Sequence, residues 1–289
     1  MSIQLTRNGD IELAYEVEGP TDGVPLLLVS AGAGTQMAMW PKGIRTGLVE
    51  RGFRVAMMDQ RDDGLSTHLT GKPAYTLRDM TDDTVAVLDA LGWPKAVLVG
   101  ASLGGMLAQA VAIEHPDRAA GLVSMLSTSA TSLWINRPKI WTILRLIKAM
   151  SGTSADREAE GQRWVDAFRI FATKGYPSDD DHWREAGRLV FDRGRNPVGS
   201  IRHTAAIRAA GDRGAALGKL EIPALVVHGS RDQLVSPRAA RATADAIPGA
   251  RFLLIPGMGH QLARSTWPKV LDEIGTMFAG STDKAQLSG

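Results

Sequence analysis

The chain contains no cysteine. Disulfides, thiolate nucleophiles and zinc–thiolate sites are therefore excluded together. Long apolar runs are missing too: nothing approaches the roughly 18 consecutive apolar residues of a membrane-spanning helix, so no membrane partner is expected. Blocks of one charge are also lacking. The 33 Lys and Arg against 31 Asp and Glu leave a formal net charge of +2, and no basic run reads as a nucleic-acid footprint. The opening Met1-Ser2-Ile3-Gln4-Leu5-Thr6 is too polar for a signal peptide, which makes the cytoplasm the expected location. The histidines are scattered, without H-E-x-x-H or paired-carboxylate spacing, and G-x-x-x-x-G-K-[ST] does not occur. Neither a metal nor a cofactor is expected.

What is present is an ordinary globular composition, 44% hydrophobic and 22% charged over 289 residues, long enough for one core carrying an insertion. Ile3–Thr6 and Ile11–Glu16 alternate apolar and polar residues around Asn8-Gly9, a hairpin signal. Leu26–Val29, Val55–Met58, Ala96–Val99, Leu122–Met125, Ala224–Val227 and Phe252–Ile255 are short, nearly continuous apolar runs, as in strands covered on both faces. Helical periodicity separates them at Arg45–Arg51, Leu77–Leu91, Leu103–His115, Arg238–Ala246 and Trp267–Phe278. This rhythm predicts a doubly wound, mostly parallel α/β sheet. It breaks between Thr128 and Leu217, where only helical patterns appear, at Leu133–Met150, Ala159–Thr173 and His182–Phe191. The expectation is a core formed by residues 1–127 and 218–289 with a helical cap inserted at 128–217. Residues 279–289 read as a frayed tail.

Chemistry concentrates at the carboxyl ends of predicted strands. Val97-Leu98-Val99-Gly100-Ala101-Ser102-Leu103-Gly104 is a strand, then G-x-S-x-G, then a helix start. A tight strand-to-helix turn projects the serine hydroxyl, and bulk at Gly100 or Gly104 would collide with neighbouring backbone. A hydroxyl needs a base to become nucleophilic. His260 is the candidate, on the loop Pro256-Gly257-Met258-Gly259 after the last core strand. His68, His115, His182 and His203 lie in loops, at a helix end or in the cap, and His228 is expected to support the acid loop. Asp232, in His228-Gly229-Ser230-Arg231-Asp232, is the carboxylate that would orient the imidazole; read alone it is an Asx-turn residue. The order Ser…Asp…His is the one this architecture requires. For the oxyanion, the expected donors are the backbone N–H of Leu103 and that of Ala33, in Ser30-Ala31-Gly32-Ala33-Gly34.

These residues resemble the α/β-hydrolase superfamily over nearly the whole chain. Ala31-Gly32-Ala33-Gly34 followed by Trp40 is similar to the family's His-Gly-x-Gly…Trp loop, with alanine in place of histidine. Asp59-Gln60-Arg61-Asp62-Asp63-Gly64-Leu65-Ser66 is similar to Asp-x-Arg-Gly-x-Gly-x-Ser, with Asp62 in place of glycine. Asp59 and Arg61 are expected to brace this loop by salt bridge and hydrogen bonds. Together with Gly100–Gly104 and Pro256–His260, the chain looks most like the aclacinomycin methylesterase branch. That likeness implies hydrolysis of a small-molecule, apolar or aromatic carboxylic ester, with methyl esters among the candidates, through an acyl-serine. Epoxide hydrolases and haloalkane dehalogenases use aspartate where Ser102 stands, which argues against both. Cofactor-free perhydrolysis, iminopeptidase-like cleavage and a ligand receptor on the same fold stay open. Within the cap, Trp134, Trp141, Trp164, Trp183 and Phe168 are expected mostly to pack, with a few apolar side chains over Ser102. Arg193, Arg195, Arg202, Arg208 and Arg213 read as a solvated face.

Overall fold

The computed structural model describes residues 2–71, 75–129 and 139–280. Trp134, the expected start of the first cap helix at Leu133, and the tail beyond Gly280 lie outside the described residues.

Strands β1 (Gln4–Asn8) and β2 (Ile11–Glu18) form the expected hairpin, with Asn8 opposite Ile11. They are followed by β3 (Val24–Ser30), β4 (Phe53–Met58), β5 (Ala96–Ala101), β6 (Ala119–Met125), β7 (Ala224–Gly229) and β8 (Arg251–Ile255). These eight strands make one sheet in the order β1-β2-β4-β3-β5-β6-β7-β8. β2 pairs antiparallel with both neighbours, and every pairing from β4 to β8 is parallel.

Alternation along β3 explains the run of apolar residues. Leu27 and Val29 face one core layer with α2 (Leu77–Ala90) and α3 (Leu103–Glu114), through Met80, Val87, Leu88, Leu107 and Val111. Leu26 and Leu28 face the other, with α1 (Lys42–Glu50) and α10 (Trp267–Ile274), through Ile44, Leu48, Val270, Leu271 and Ile274. A side chain buried in this way contributes about 1.5–3 kcal/mol relative to exposure. A strand sandwiched between two such layers therefore has no use for polar residues. α2 begins on a capping box, with Thr76 and Asp79 satisfying each other's free amides. α9 (Pro237–Ala246) covers Val226 of β7 with Ala240 and Ala244.

Between β6 and β7 the described residues contain helices and one isolated bridge, Thr173 to Tyr176. The helices are α4 (Ile140–Met150), α5 (Arg157–Arg169), α6 (Asp180–Arg193), α7 (Pro197–Ala209) and α8 (Gly214–Leu217). α5 and α6 pack on each other, and Trp164, Ala186 and Val190 close over Met39 from the loop after β3. Phe168 stacks on Trp183 at 3.3 Å between ring centroids, and Trp164 Nε1 donates to Glu160 Oε1 at 2.9 Å. These rings pack α5 and α6 together. α4 presents Ile140, Trp141, Leu144 and Ile147 outward and turns Thr142 inward.

The arginines of this segment depart from the expected solvated face. Arg208 is exposed, but Arg193 pairs with Glu16, Arg195 with Glu160 and Arg202 with Asp62, while Arg213 is buried and donates to Thr128 O. The reason is that largely buried acceptors on β2 (Glu16), on α5 (Glu160) and in loops (Asp62, Thr128 O) need donors. Among the described residues no helix is long and apolar enough to cross a membrane.

Candidate active site

Ser102 joins β5 to α3 with φ 53° and ψ −120°, a sparsely populated region that costs an L-residue about 1–3 kcal/mol. The turn is held from both sides. Ser102 N donates to Met125 O at 2.8 Å, and Ser127 Oγ donates to Ser102 O at 2.7 Å. A Cβ on Gly100 would stand 2.1 Å from Gly104 O, and one on Gly104 would stand 2.0 Å from Ser30 O. Only glycine permits strand, turn and helix to approach so closely. Leu103 opens α3, so its amide has no carbonyl one turn earlier within the helix to bond.

The loop after β8 brings His260 to this hydroxyl. His260 Nε2 lies 3.1 Å from Ser102 Oγ, and its Nδ1 lies 2.7 Å from Asp232 Oδ2. His260 is buried, with the Phe171 ring standing edge-on 5.1 Å away. Asp232 uses its two oxygens differently. Oδ1 accepts from the amides of Leu234 and Val235 at 2.8 and 2.9 Å, which is the Asx-turn, while Oδ2 takes the imidazole. The two readings of Asp232 are thus both present in one carboxylate. Burial pushes its pKa up, but the adjacent His260, His228 and the Val235 amide outweigh this and hold it below the ordinary carboxylate range. His228 sits beneath, fully buried, with Nε2 3.1 Å from Val235 O and 3.3 Å from Asp232 Oδ2. Burial pulls its pKa down against the opposing pull of Asp232, so the ring is neutral and donates from Nε2.

Gly32 lies beside Ser102: a Cβ there would be 3.8 Å from Ser102 Cβ. The residues Ala33 and Gly34 continue the same loop, with Ala33 exposed. Alanine at position 31 removes the histidine of the resembled pattern, and two hydroxyls hold the loop instead. Ser30 Oγ donates to Gly32 O at 3.0 Å, and Thr35 Oγ1 donates to the same oxygen at 2.9 Å. Sequence reasoning missed Ser30, Thr35 and Ser127, because small hydroxyl residues near glycines carry no distinctive spacing. Asp59 accepts from Met37 N at 2.6 Å and Leu65 N at 3.0 Å, while Arg61 forms its ion pair with Asp83 at 2.5 Å. The remaining histidines are engaged elsewhere: His68 with Gly64 O, His115 with Asp82, His182 with Met39 O and His203 with Arg61 O.

A family model described as the alpha/beta hydrolase fold matches residues 24–150. Rhodomycin D methylesterase DauP of Streptomyces sp. (strain C5) is 28% identical, across 91% of this chain and 93% of its own length. A Variovorax paradoxus protein named as a carbamate hydrolase, RutD, is 32% identical, across 86% of this chain and 89% of its own. Among solved structures, a thermophilic esterase from Thermogutta terrifontis superposes with a TM-score of 0.72 at 26% identity, covering 97% of this chain and 99% of that one. The serine turn, its histidine neighbour and this breadth of likeness agree: the chain belongs to the α/β-hydrolase family.

Proposed function

We propose that the protein hydrolyses carboxylic esters through an acyl-serine intermediate. The observation that carries this reading is the unbroken line of contacts from Ser102 Oγ through His260 to Asp232. In this scheme His260 Nε2 takes the Ser102 proton as Oγ attacks the ester carbonyl, and Asp232 stabilises the imidazolium without taking the proton. The amides of Leu103 and Ala33 receive the developing oxyanion. Collapse expels the alcohol, which leaves with the proton from His260, and a water activated by the same imidazole releases the acid. No metal or cofactor takes part in this scheme.

The segment 128–217 serves as a cap over this site, with the core formed by 1–127 and 218–289. Phe171, edge-on to His260, is the cap aromatic placed against the reacting groups. The preferred substrate is a small apolar or aromatic ester, with a methyl ester of a ring-bearing acid favoured. The 28% likeness to a methylesterase supports that choice. The 32% likeness to a protein named as a carbamate hydrolase favours a second reading, cleavage of a carbamate by the same acyl-transfer steps.

Two measurements test this. Treatment with a fluorophosphonate, followed by mass spectrometry, should place one adduct on Ser102; an adduct elsewhere overturns the mechanism. A panel of p-nitrophenyl acyl esters, aromatic methyl esters and an aryl carbamate should give the highest kcat/KM with the methyl esters. Fast acetyl or butyryl turnover with no aromatic methyl-ester cleavage overturns the substrate class.

A further inference from the structure

We propose that Asp62 is a positioning residue for the oxyanion loop, acting by clamping the first half of α7 against Gly34. This rests on the assignment of the site around Ser102. Asp62 stands where the resembled pattern has glycine, and it keeps a glycine-like backbone, with φ 69°. A non-glycine residue in that region persists only where its surroundings fix it. Here the side chain is fully buried and supplies what fixes it.

Both carboxylate oxygens are engaged with α7. Arg202 Nη1 donates to Oδ1 and Oδ2 at 3.0 Å each, and Asn196 Nδ2 donates to Oδ1 at 3.2 Å. Leu69 N adds a bond to Oδ1 at 2.8 Å from the core side. Asn196 is the residue that caps α7, its own Oδ1 accepting from Gly199 N at 3.1 Å, so Asp62 grips the helix at its cap. Contact is intimate at Gly199, where a Cβ would lie 2.6 Å from both Asp62 Cβ and Asp62 O. The next residue, Ser200, rests on the oxyanion loop: a Cβ on Gly34 would lie 2.8 Å from Ser200 Cβ. His203 Nε2 closes the clamp on Arg61 O at 2.7 Å. Arg202 also donates to Leu69 O at 3.0 Å and Gly71 O at 2.9 Å, so its guanidinium is held on the core by carbonyls as well as by the carboxylate.

The charge arrangement agrees with this role. Arg202 sets its guanidinium against Asp62 with both side chains largely withdrawn from solvent. Without the Asp62 carboxylate, Asn196 and Arg202 lose their shared acceptor and Ser200 is free to lift from Gly34. The oxyanion exists only in the tetrahedral steps, so slack in this loop should cost kcat and leave KM largely unchanged.

The test compares Asp62→Asn, Asp62→Gly, Arg202→Met and the Asp62→Asn/Arg202→Met double variant with the parent protein. Each single change should lower kcat about tenfold with KM within about twofold, and the double variant should be no worse than the poorer single one. Affinity for an aryl boronic acid, which forms a tetrahedral adduct on serine, should fall by the same factor. Asp62→Asn preserves size and folding if the glycine variant does not express. Unchanged kcat and boronate affinity, with only the melting temperature lowered, overturn the proposal and leave a purely structural tie. Fluorophosphonate labelling of the parent separates the two levels: no adduct on Ser102 removes the site assignment, whereas an adduct with unaffected variants removes only the role of Asp62.

Discussion

His228 and His260 meet on one oxygen of Asp232, at 3.3 Å and 2.7 Å from Oδ2. The other oxygen is occupied by two backbone amides, so the carboxylate cannot turn. Asp232→Asn keeps an acceptor for those amides but loses the charge and one acceptor facing His260. On the proposed mechanism the expected result is a folded protein with kcat lowered about 10⁴-fold, the cost of the same change at the aspartate of a Ser-His-Asp triad. Circular dichroism and steady-state kinetics on the same sample check it.

His228→Leu removes the N–H that faces Val235 O and Asp232. One neutral hydrogen bond lost at a buried site is about 1 kcal/mol, or roughly fivefold in kcat if it is transmitted to the imidazole. His228→Gln can place an amide nitrogen near the lost Nε2 and should recover most of the activity. Equal losses in both variants would contradict this.

Ser102 and His260 should behave as one unit. Ser102→Ala and His260→Ala are each expected to lower kcat by about 10⁶, and the double variant by no more than the worse single. Additive losses would show that the two act independently.

Gly104→Ala tests the turn by volume alone. Its new methyl would stand 2.0 Å from Ser30 O, a backbone atom that cannot step aside. A loss of about 3 kcal/mol or more is expected from urea unfolding, at the upper end of overpacking penalties. A variant with unchanged stability would mean that the strand and helix are less closely apposed.

Asp59 gives stability a pH dependence opposite to that of most carboxylates. Burial pushes its pKa up from 3.8 to about 6, with the Leu65 and Met37 amides pulling the other way. The folded chain therefore binds this proton more tightly than the unfolded chain. The resulting stabilisation is full below the unfolded value of 3.8 and is lost as pH rises through about 6. Relative to Asp59→Asn, the parent should lose about 2 kcal/mol between roughly pH 4 and pH 7. Urea titrations of both proteins across that range check this; a constant difference contradicts it.

The sheet was legible in the sequence because its strands are buried on both faces, and apolar runs such as Leu26–Val29 and Ala224–Val227 admit few other readings. Strand ends were less legible: β4 begins at Phe53 and β6 at Ala119, earlier than the apolar runs suggest. Ser102, Asp232 and His260 could be picked out because each follows a strand. α7 was not, although Asn196-Pro197 carries a cap and a first-turn proline. Its surfaces serve three masters: His203, Ala206 and Ile207 turn inward, Arg202 reaches Asp62, and Val198 and Ile201 face solvent. No single apolar stripe survives that division. The same geometry made Arg202 look like surface, because its carboxylate partner is 140 positions away.

The 158 positions between Ser102 and His260 also bear on how the protein is made. Every helix from α4 to α8 is synthesised between Ser102 and His260, so the two residues leave the ribosome well apart in time. Contacts of such sequence separation form late, since closing the intervening chain must precede any reward from it. During refolding from urea, helical ellipticity should accordingly return before ester turnover. Turnover that returns after ellipticity is the outcome that marks the Ser102–His260 contact as a late event of folding.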